Sequence, residues 1–144
     1  MKLLVINPNT SDDVTALIEA EALRSASSGT DLVVRTAGYG VEYIETRFES
    51  LIAAGAVAEI IAEYTRGEGA SIDGVVVAAF GDPGMPALKE LTDIPVIGIT
   101  EAEALHTVLV PGPDPVRDGD DGDAVPLQGG GAECGLGDPD DGDV

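Results

Sequence analysis

The chain has 144 residues, enough for one domain, and its core has to be aliphatic because 44% of the residues are hydrophobic but only 3% are aromatic. A formal net charge of −20 argues against nucleic acid or an anionic membrane surface as a partner. The single cysteine, Cys134, excludes an intrachain disulfide, and one Cys with one His is too little for a zinc cluster. No stretch is long and apolar enough for a signal-peptide core or a membrane span, so a cytoplasmic protein is expected.

Apolar runs alternate with helical patterns along the first three quarters of the chain. In chain order they predict a strand at 3–6, a helix capped at Thr10 or Ser11 and reaching about 27, a strand at 31–36, a helix at about 42–64, a strand at 75–79, a helix at 85–91, a strand at 95–99 and a helix at 101–109. Strands that are apolar throughout and alternate with helices are typical of a parallel sheet covered on both faces. The sequence therefore predicts a three-layer α/β lobe over residues 1–109, with a four-stranded parallel sheet flanked by helices.

Two details of the predicted helices bear on function. Tyr43, Glu45 and Arg47 are expected to open the long helix, and a role in subunit contact or in shaping a site is left open. His106 has Leu105 and Leu109 beside it in the last helix. These neighbours favour a partly buried structural histidine over a catalytic one.

The composition changes after residue 109. Residues 110–144 hold nine Gly and nine Asp, show no periodicity, and carry ten acidic side chains against Arg117 alone. Such a segment cannot bury enough apolar surface to offset its ordering entropy, so a disordered acidic tail is predicted. The tail lacks the spacing of an EF-hand loop, and no metal site is expected in it.

Two segments follow strands and open helices, which is where open α/β sheets place ligands. The first, INPNTS at residues 6–11, offers amide and hydroxyl groups, although an ordinary turn with a helix cap explains it equally well. The second, AFGDPG at residues 79–84, has two glycines that allow close backbone approach. Asp82 in this second segment is either a ligand contact or a helix cap.

Four motifs carry a resemblance to a known family. They are INPNTS at 6–11, YIETR at 43–47, AAFGDPGMPALKEL at 78–91 and IPVIGITEAEALH at 94–106. In this order, and over nearly all of residues 1–109, they resemble the Asp/Glu/hydantoin racemase family. The resemblance implies a cofactor-independent isomerase of two α/β lobes that acts on an amino acid, a hydantoin or a ureide. Its active site would lie between the lobes, with one cysteine from each.

In such an enzyme one thiolate removes a proton next to a carbonyl, the opposite thiol returns a proton, and N–H and hydroxyl donors stabilise the enolate-like intermediate. Ala79 stands where the family usually has its first cysteine, and a methyl group cannot act as a base. The second lobe has no counterpart in this sequence, and nothing that resembles a strand precedes Cys134. The resemblance therefore implies a truncated racemase that is weakly active or inactive alone.

The same resemblance assigns seven residues of the two turns to binding substrate oxygens, through side chains or backbone: Asn7, Asn9, Thr10, Ser11, Phe80, Gly81 and Asp82. Two other functions stay open. One is a non-catalytic lobe that binds a small anion, and the other is a single-cysteine family member with one-base or decarboxylase-type chemistry. An isolated lobe would also expose apolar surface, which predicts marginal stability or a homo-oligomer.

Two origins are open for the acidic tail. It is either a natural acidic segment or a frame-shifted reading of the missing lobe. With suitable codons, residues 115–123 (PVRDGDDGD) read one base later become Arg-Phe-Ala-Met-Val-Thr-Met-Ala, which resembles the strand that opens the second lobe in the family. Sequencing the gene across these codons would decide between the two origins.

Overall fold

The computed structural model describes residues 1–66 and 72–109, in which strands and helices alternate. The strands are β1 (Lys2–Asn7), β2 (Asp31–Thr36), β3 (Gly74–Val77) and β4 (Val96–Gly98). The helices are α1 (Asp12–Ser25), α2 (Arg47–Thr65), α3 (Met85–Leu91) and α4 (Ile99–Leu109). The predicted tail at 110–144 and Cys134 lie outside the described residues. No helix in the described ranges is long and apolar enough to cross a membrane.

The four strands form one parallel sheet in the order β2-β1-β3-β4. Val5 of β1 lies opposite Val34 of β2 on one side and Val76 of β3 on the other. The chain leaves β1 toward β2 and later crosses back to β3, so its direction of travel reverses at β1. This sheet with its flanking helices confirms the predicted α/β fold.

One face of the sheet is packed into a closed core by α2 and α3. The fully or nearly fully buried members of that core are Leu4, Ile6, Val57, Ile60, Ile61, Ile72, Val75, Val77, Met85, Leu88 and Val96. Alternate residues of β1 and β3 supply its floor because successive strand side chains point to opposite faces. Helices α2 and α3 therefore bury the side chains of β1, β3 and β4 that point to this face.

The opposite face is covered only in part, by α1. That helix has no buried residue, and Leu17 on it is 72% exposed. An open cavity of about 610 Å³ lies between the helix and the apolar side chains of β1 and β3, which include Leu3 and Val76. The sequence led us to expect exposed apolar surface in an isolated lobe, and the structure has it on this face. Self-association through this face stays a prediction.

The long helix begins later than the sequence pattern indicated. α2 starts at Arg47 instead of residue 42, so Tyr43 and Glu45 lie in the preceding loop. A reciprocal cap fixes this start: the Thr46 hydroxyl accepts the N–H of Glu49 at 3.2 Å, and the Glu49 carboxylate accepts the N–H of Thr46 at 2.8 Å. The N–H of Glu45 donates to the same carboxylate, which lowers the pKa of Glu49.

The last helix also differs from its prediction. α4 begins at Ile99, two residues before the predicted start, because β4 ends at Gly98. His106 is exposed and does not reach the core, so the expectation of a partly buried histidine was wrong. Its neighbours Leu105 and Leu109 are 54% and 67% exposed, because α4 contacts the lobe mainly at β4.

Candidate functional site

The two predicted site segments lie side by side at one edge of the sheet. Ile6 and Val77 are opposite each other near the ends of β1 and β3, so the loops that follow these strands leave the same edge as neighbours. β1 is also the strand at which the chain reverses direction. Open α/β sheets form a crevice at such a point, outside the carboxyl ends of the strands.

The loop after β1 is held from inside by Asn7, whose side chain is completely buried. Its Nδ2 lies 2.8 Å from Asn9 Oδ1, 2.9 Å from Thr15 Oγ1 and 3.1 Å from the carbonyl oxygen of Ser11. Its Oδ1 accepts the N–H of Asn9 at 3.2 Å. The whole amide of Asn7 is therefore engaged within the loop and the helix behind it. A contact between Asn7 and substrate stays a prediction.

Asn9 and Thr10 each keep a donor that this network does not use. Asn9 Oδ1 accepts the N–H of Ser11 at 3.0 Å as well as a hydrogen from Asn7, and its Nδ2 has no partner among the described residues. The N–H of Thr10 donates to the carbonyl of Val41 at 3.0 Å, whereas its hydroxyl has no partner in those ranges. Because Asn9 and Thr10 are only half-buried, both free groups are open to a ligand.

Ser11 has a structural part in this loop. Its side chain is 7% exposed and caps α1 by accepting the N–H of Val14 at 3.4 Å. The hydroxyl thus takes one of the free N–H groups at the start of the helix. The cap alternative drawn from the sequence accounts for this side chain, and a substrate contact for it stays a prediction.

The loop after β3 is held by backbone geometry and by a second helix. Gly81 and Gly84 have positive φ angles of 94° and 74°, and Asp82 has a positive φ of 44°. The carboxylate of Asp82 accepts the N–H of Thr100 at 3.1 Å and that of Glu101 at 2.9 Å. The Thr100 hydroxyl accepts the N–H of Gly81 at 3.1 Å in return. Asp82 therefore caps α4, from which it is separated in the chain by α3 and β4. Its contact with a ligand stays a prediction.

Ala79 and Phe80 begin this loop, and the carbonyl of Ala79 accepts the N–H of Asp82 at 3.3 Å. The N–H groups of both residues have no partner among the described residues, and Phe80 is 79% exposed. Ala79 is half-buried and ends in a methyl group. The one ionisable side chain in residues 78–84 is that of Asp82, and it is committed to α4.

Two ionisable groups on neighbouring elements, Glu101 and Tyr39, have shifted pKa values. Lys89 of α3 contacts both carboxylate oxygens of Glu101 at 2.8 Å, and this ion pair lowers the pKa of Glu101. Partial burial raises the pKa of Tyr39, with a smaller contribution from nearby Glu59. Within the described ranges, no three His, Cys, Asp or Glu side chains come together in an arrangement that can hold a metal ion.

Comparison with known proteins identifies the family of this chain. The sequence profile of the Asp/Glu/Hydantoin racemase family matches residues 3–113. The chain belongs to this racemase family. The four motifs that suggested the resemblance fall within the matched range, as do both loops of the candidate site.

Relatives of this racemase-family chain include hydantoin racemases of two bacteria. It is 38% identical to the hydantoin racemase of Pseudomonas sp. (strain NS671) over 102 residues, which are 71% of this chain and 40% of that protein. It is 39% identical to the hydantoin racemase of Paenarthrobacter aurescens over 107 residues, 74% of this chain and 44% of that protein. The chain thus spans about two fifths of the length of these relatives.

The solved structures that match this chain are also racemases. An allantoin racemase from Klebsiella pneumoniae matches with a TM-score of 0.67 and 41% identity, over 75% of this chain and 43% of that one. The allantoin racemase from Pseudomonas fluorescens matches with a TM-score of 0.66 and 38% identity, over 73% of this chain and 43% of that one. The lobe described above therefore has the fold of part of these two racemases.

Several residues that build the site were missed from the sequence. They are Thr15, Thr36, Gly98 and Thr100. Gly98 leaves room for the Asp82 carboxylate, with which a Cβ at this position would collide. Of these four residues, only Thr15 had a signal in the local sequence, because Ser11, the cap of α1, lies four residues before it. The others meet the site through the fold, at separations that no short motif spans.

Proposed function

We propose that residues 1–109 form the N-terminal lobe of a hydantoin- or allantoin-type racemase, and that residues 110–144 are a tail separate from it. In this proposal the lobe binds carbonyl or carboxylate oxygens of a small molecule at the edge of the sheet. One observation carries the proposal: the two adjacent loops leave four hydrogen-bond donors without a partner among the described residues. They are Asn9 Nδ2, the Thr10 hydroxyl and the N–H groups of Ala79 and Phe80.

A set of donors at a strand edge suits the chemistry of racemisation next to a carbonyl. When a base removes the proton on carbon, negative charge moves onto the carbonyl oxygen, and preorganised donors stabilise that charge in a site with little water. The lobe supplies such donors on the two loops that follow the neighbouring strands β1 and β3. The proton-transfer groups have to come from elsewhere.

The missing base determines what this chain can do by itself. By the resemblance to the family motif, Ala79 occupies the position at which the family usually has its first cysteine. Its methyl group neither takes up nor returns a proton. Asp82, the nearest carboxylate in the same loop, accepts two N–H groups from α4. We therefore expect the chain to bind substrate without racemising it, and a full-length protein to depend on groups supplied by its remaining part.

Polarimetry and NMR titration test the two halves of this proposal. Purified chain is incubated with an L-5-substituted hydantoin, and the optical rotation is expected to remain constant. Rapid loss of optical rotation would contradict the expectation that the chain alone is inactive. In parallel, ¹⁵N-labelled chain is titrated with hydantoin, and shifts are expected at Asn9, Thr10 and Phe80.

Asn9→Asp provides a matched variant for this titration. It keeps an oxygen that accepts the N–H of Ser11 but replaces the free NH₂ donor with a carboxylate oxygen. We expect it to abolish the hydantoin-induced shifts, while Asp13→Asn on the exposed first turn of α1 leaves them unchanged. Unchanged binding by Asn9→Asp would remove Asn9 from the site.

A second candidate function is a non-catalytic lobe that holds a small anion. The absence of a free base on either described loop favours it, because donors alone are enough to bind a carboxylate. Calorimetry with acetate and with hydantoin separates the candidates: an anion-binding lobe binds acetate and leaves the ring unbound. For the one-base alternative, Ala79→Cys is assayed in a full-length parent of this chain, in which restoring the first cysteine is expected to add racemisation to the one-base chemistry.

A further inference from the structure

We propose that Thr100 and Asp82 form a subsite for a ureido group, so that the lobe selects a hydantoin with a ureido substituent on C5 over one with an alkyl substituent. Thr100 is the second residue of α4 and follows the end of β4 at Gly98. It therefore lies outside the loops after β1 and β3. The inference rests on the proposed function, because it presupposes that these two loops bind the hydantoin ring.

The Thr100 side chain is held in place and keeps one unused hydrogen. Its backbone N–H donates to Asp82 Oδ1 at 3.1 Å, and its hydroxyl oxygen accepts the N–H of Gly81 at 3.1 Å. Gly81 supplies the hydrogen of that second bond, so the hydroxyl hydrogen of Thr100 is not used in it. This hydrogen has no acceptor among the described residues, and Thr100 is exposed. The hydroxyl is therefore a donor that is open to a ligand.

Asp82 adds an acceptor beside this donor. Its carboxylate accepts the N–H groups of Thr100 and Glu101, whereas an ionised carboxylate has about four acceptor positions. Asp82 is also only half-buried, so a ligand can use the remaining positions. A hydroxyl donor next to a carboxylate acceptor fits a group that has a carbonyl oxygen and N–H hydrogens side by side, as a ureido group has.

The subsite extends the row of donors along the carboxyl edge of the sheet. Val77 of β3 lies opposite Ile6 of β1 on one side and Gly98 of β4 on the other, so the loops after β1, β3 and β4 leave this edge in that order. Neighbouring strands are about 4.8 Å apart. A hydantoin ring has two carbonyl groups, for which the donors after β1 and β3 are sufficient. A ligand that also binds Thr100 needs a third carbonyl group, outside the ring.

The charge of Asp82 limits the kind of substituent that fits. An alkyl group would exclude water from the Thr100 hydroxyl and from the carboxylate without replacing its hydrogen bonds, which costs affinity. A carboxylate substituent would accept a hydrogen from Thr100, but the negative charge of Asp82 would repel it. A ureido group is neutral, and it offers its carbonyl oxygen to Thr100 and its N–H hydrogens to Asp82.

Two ligands of the same shape test the subsite in the full 144-residue chain. Racemic 5-ureidohydantoin and racemic 5-isobutylhydantoin have equal numbers of non-hydrogen atoms, but the isobutyl group forms no hydrogen bonds. Their dissociation constants are measured by ¹⁵N NMR titration of the unmodified chain, Thr100→Val, Thr100→Ser and the matched control Thr92→Val. Thr92, at the end of α3, makes the same type of bond as Thr100, because its hydroxyl oxygen accepts the N–H of Ile94 at 3.2 Å.

We expect the unmodified chain to bind the ureido ligand about three- to tenfold more tightly than the isobutyl ligand, the equivalent of one hydrogen bond. Thr100→Val is expected to remove this preference, whereas Thr100→Ser and Thr92→Val should keep it. Thr100→Val also removes the acceptor of the Gly81 N–H. A loop loosened in this way would weaken the binding of both ligands alike, so the ratio of the two dissociation constants reports the contact with Thr100. An unchanged ratio in Thr100→Val would overturn the subsite.

The outcomes separate this inference from the proposed function. If the unmodified chain binds both ligands with equal affinity, the ureido subsite is overturned and the proposed function stands. If it binds neither ligand, the proposed function fails and the subsite fails with it. A preference that is lost equally in Thr92→Val would also overturn the subsite. The two affinities of the unmodified chain test the inference even if Thr100→Val does not fold.

Discussion

The two loops of the candidate site are held in different ways. The loop after β1 is fixed by side chains, since the buried amide of Asn7 contacts its own loop and Thr15 on the next helix. The loop after β3 is fixed by left-handed backbone at three residues and by a carboxylate that caps α4. The first loop therefore depends on hydrogen-bonding side chains. The second loop depends on residues that tolerate a positive φ and that leave room for close neighbours. Different substitutions should therefore damage them.

The largest effect is expected for Asn7→Asp, which changes one buried atom and keeps the shape. The new oxygen would face Asn9 Oδ1 and the Ser11 carbonyl, both acceptors, and a charge would lie in a place without solvent. A buried charge with no opposite charge to compensate it costs about 3 to 5 kcal/mol. Urea unfolding followed by circular dichroism measures the loss of free energy.

Asn9→Asp is the control for the added charge. Asn9 is half-buried, and its oxygen keeps both of its donors after the change. We expect it to destabilise the chain far less than Asn7→Asp. Equal losses in the two variants would mean that charge alone, and not the buried network, sets the stability of the first loop.

Gly84→Ala should have the next largest effect, in the second loop. Gly84 has a φ of +74°, and a Cβ there would lie 2.5 Å from the Cβ of Ala54 on α2. Left-handed backbone and a forced shift of α2 together cost about 2 to 4 kcal/mol. Thermal unfolding of the variant against the unmodified chain measures it.

Gly29→Ala separates the two causes. Gly29 also has a positive φ, of +82°, but a Cβ there meets nothing within 4 Å. Only the conformational cost of about 1 to 2 kcal/mol remains for this variant. If Gly29→Ala and Gly84→Ala are equally destabilised, the close approach of the second loop to α2 is not a constraint.

The difference between the loops also explains what the sequence could predict. Periodicity placed the strands and helices well, because apolar spacing is a local property. The start of α2 was misplaced although Thr46 and Glu49 have the spacing of a capping box, so a readable local signal was passed over. The candidate loops were found by motif, but the target of Asp82 was not. Asp82 caps a helix that starts 17 residues later, and only the fold brings the two together.

Asp82→Asn tests that cap with an intermediate effect. Asn tolerates a positive φ as well as Asp does, so the backbone is not penalised. Its single oxygen can accept the N–H of Thr100 or of Glu101, and its NH₂ group opposes the other. We expect a loss of about 1 to 2 kcal/mol in urea unfolding. Asp93→Asn, in the exposed loop before β4, is the control and should change little.

The smallest effect is expected where α3 is braced against α4 at the surface. Lys89→Met removes the ion pair with Glu101, whose pKa that pair lowers. A carboxyl group with a lowered pKa stabilises the fold above its unfolded value of 4.5, and this contribution is lost as the pH falls through the folded value. The unmodified chain should therefore melt slightly higher than Lys89→Met at pH 7, and the difference should shrink below pH 4.5 and disappear once the pH has fallen through the lowered pKa of Glu101. If the difference in melting temperature persists in acid, the packing of the Lys89 methylene groups causes it. The ion pair with Glu101 would then not contribute to the stability of the second loop.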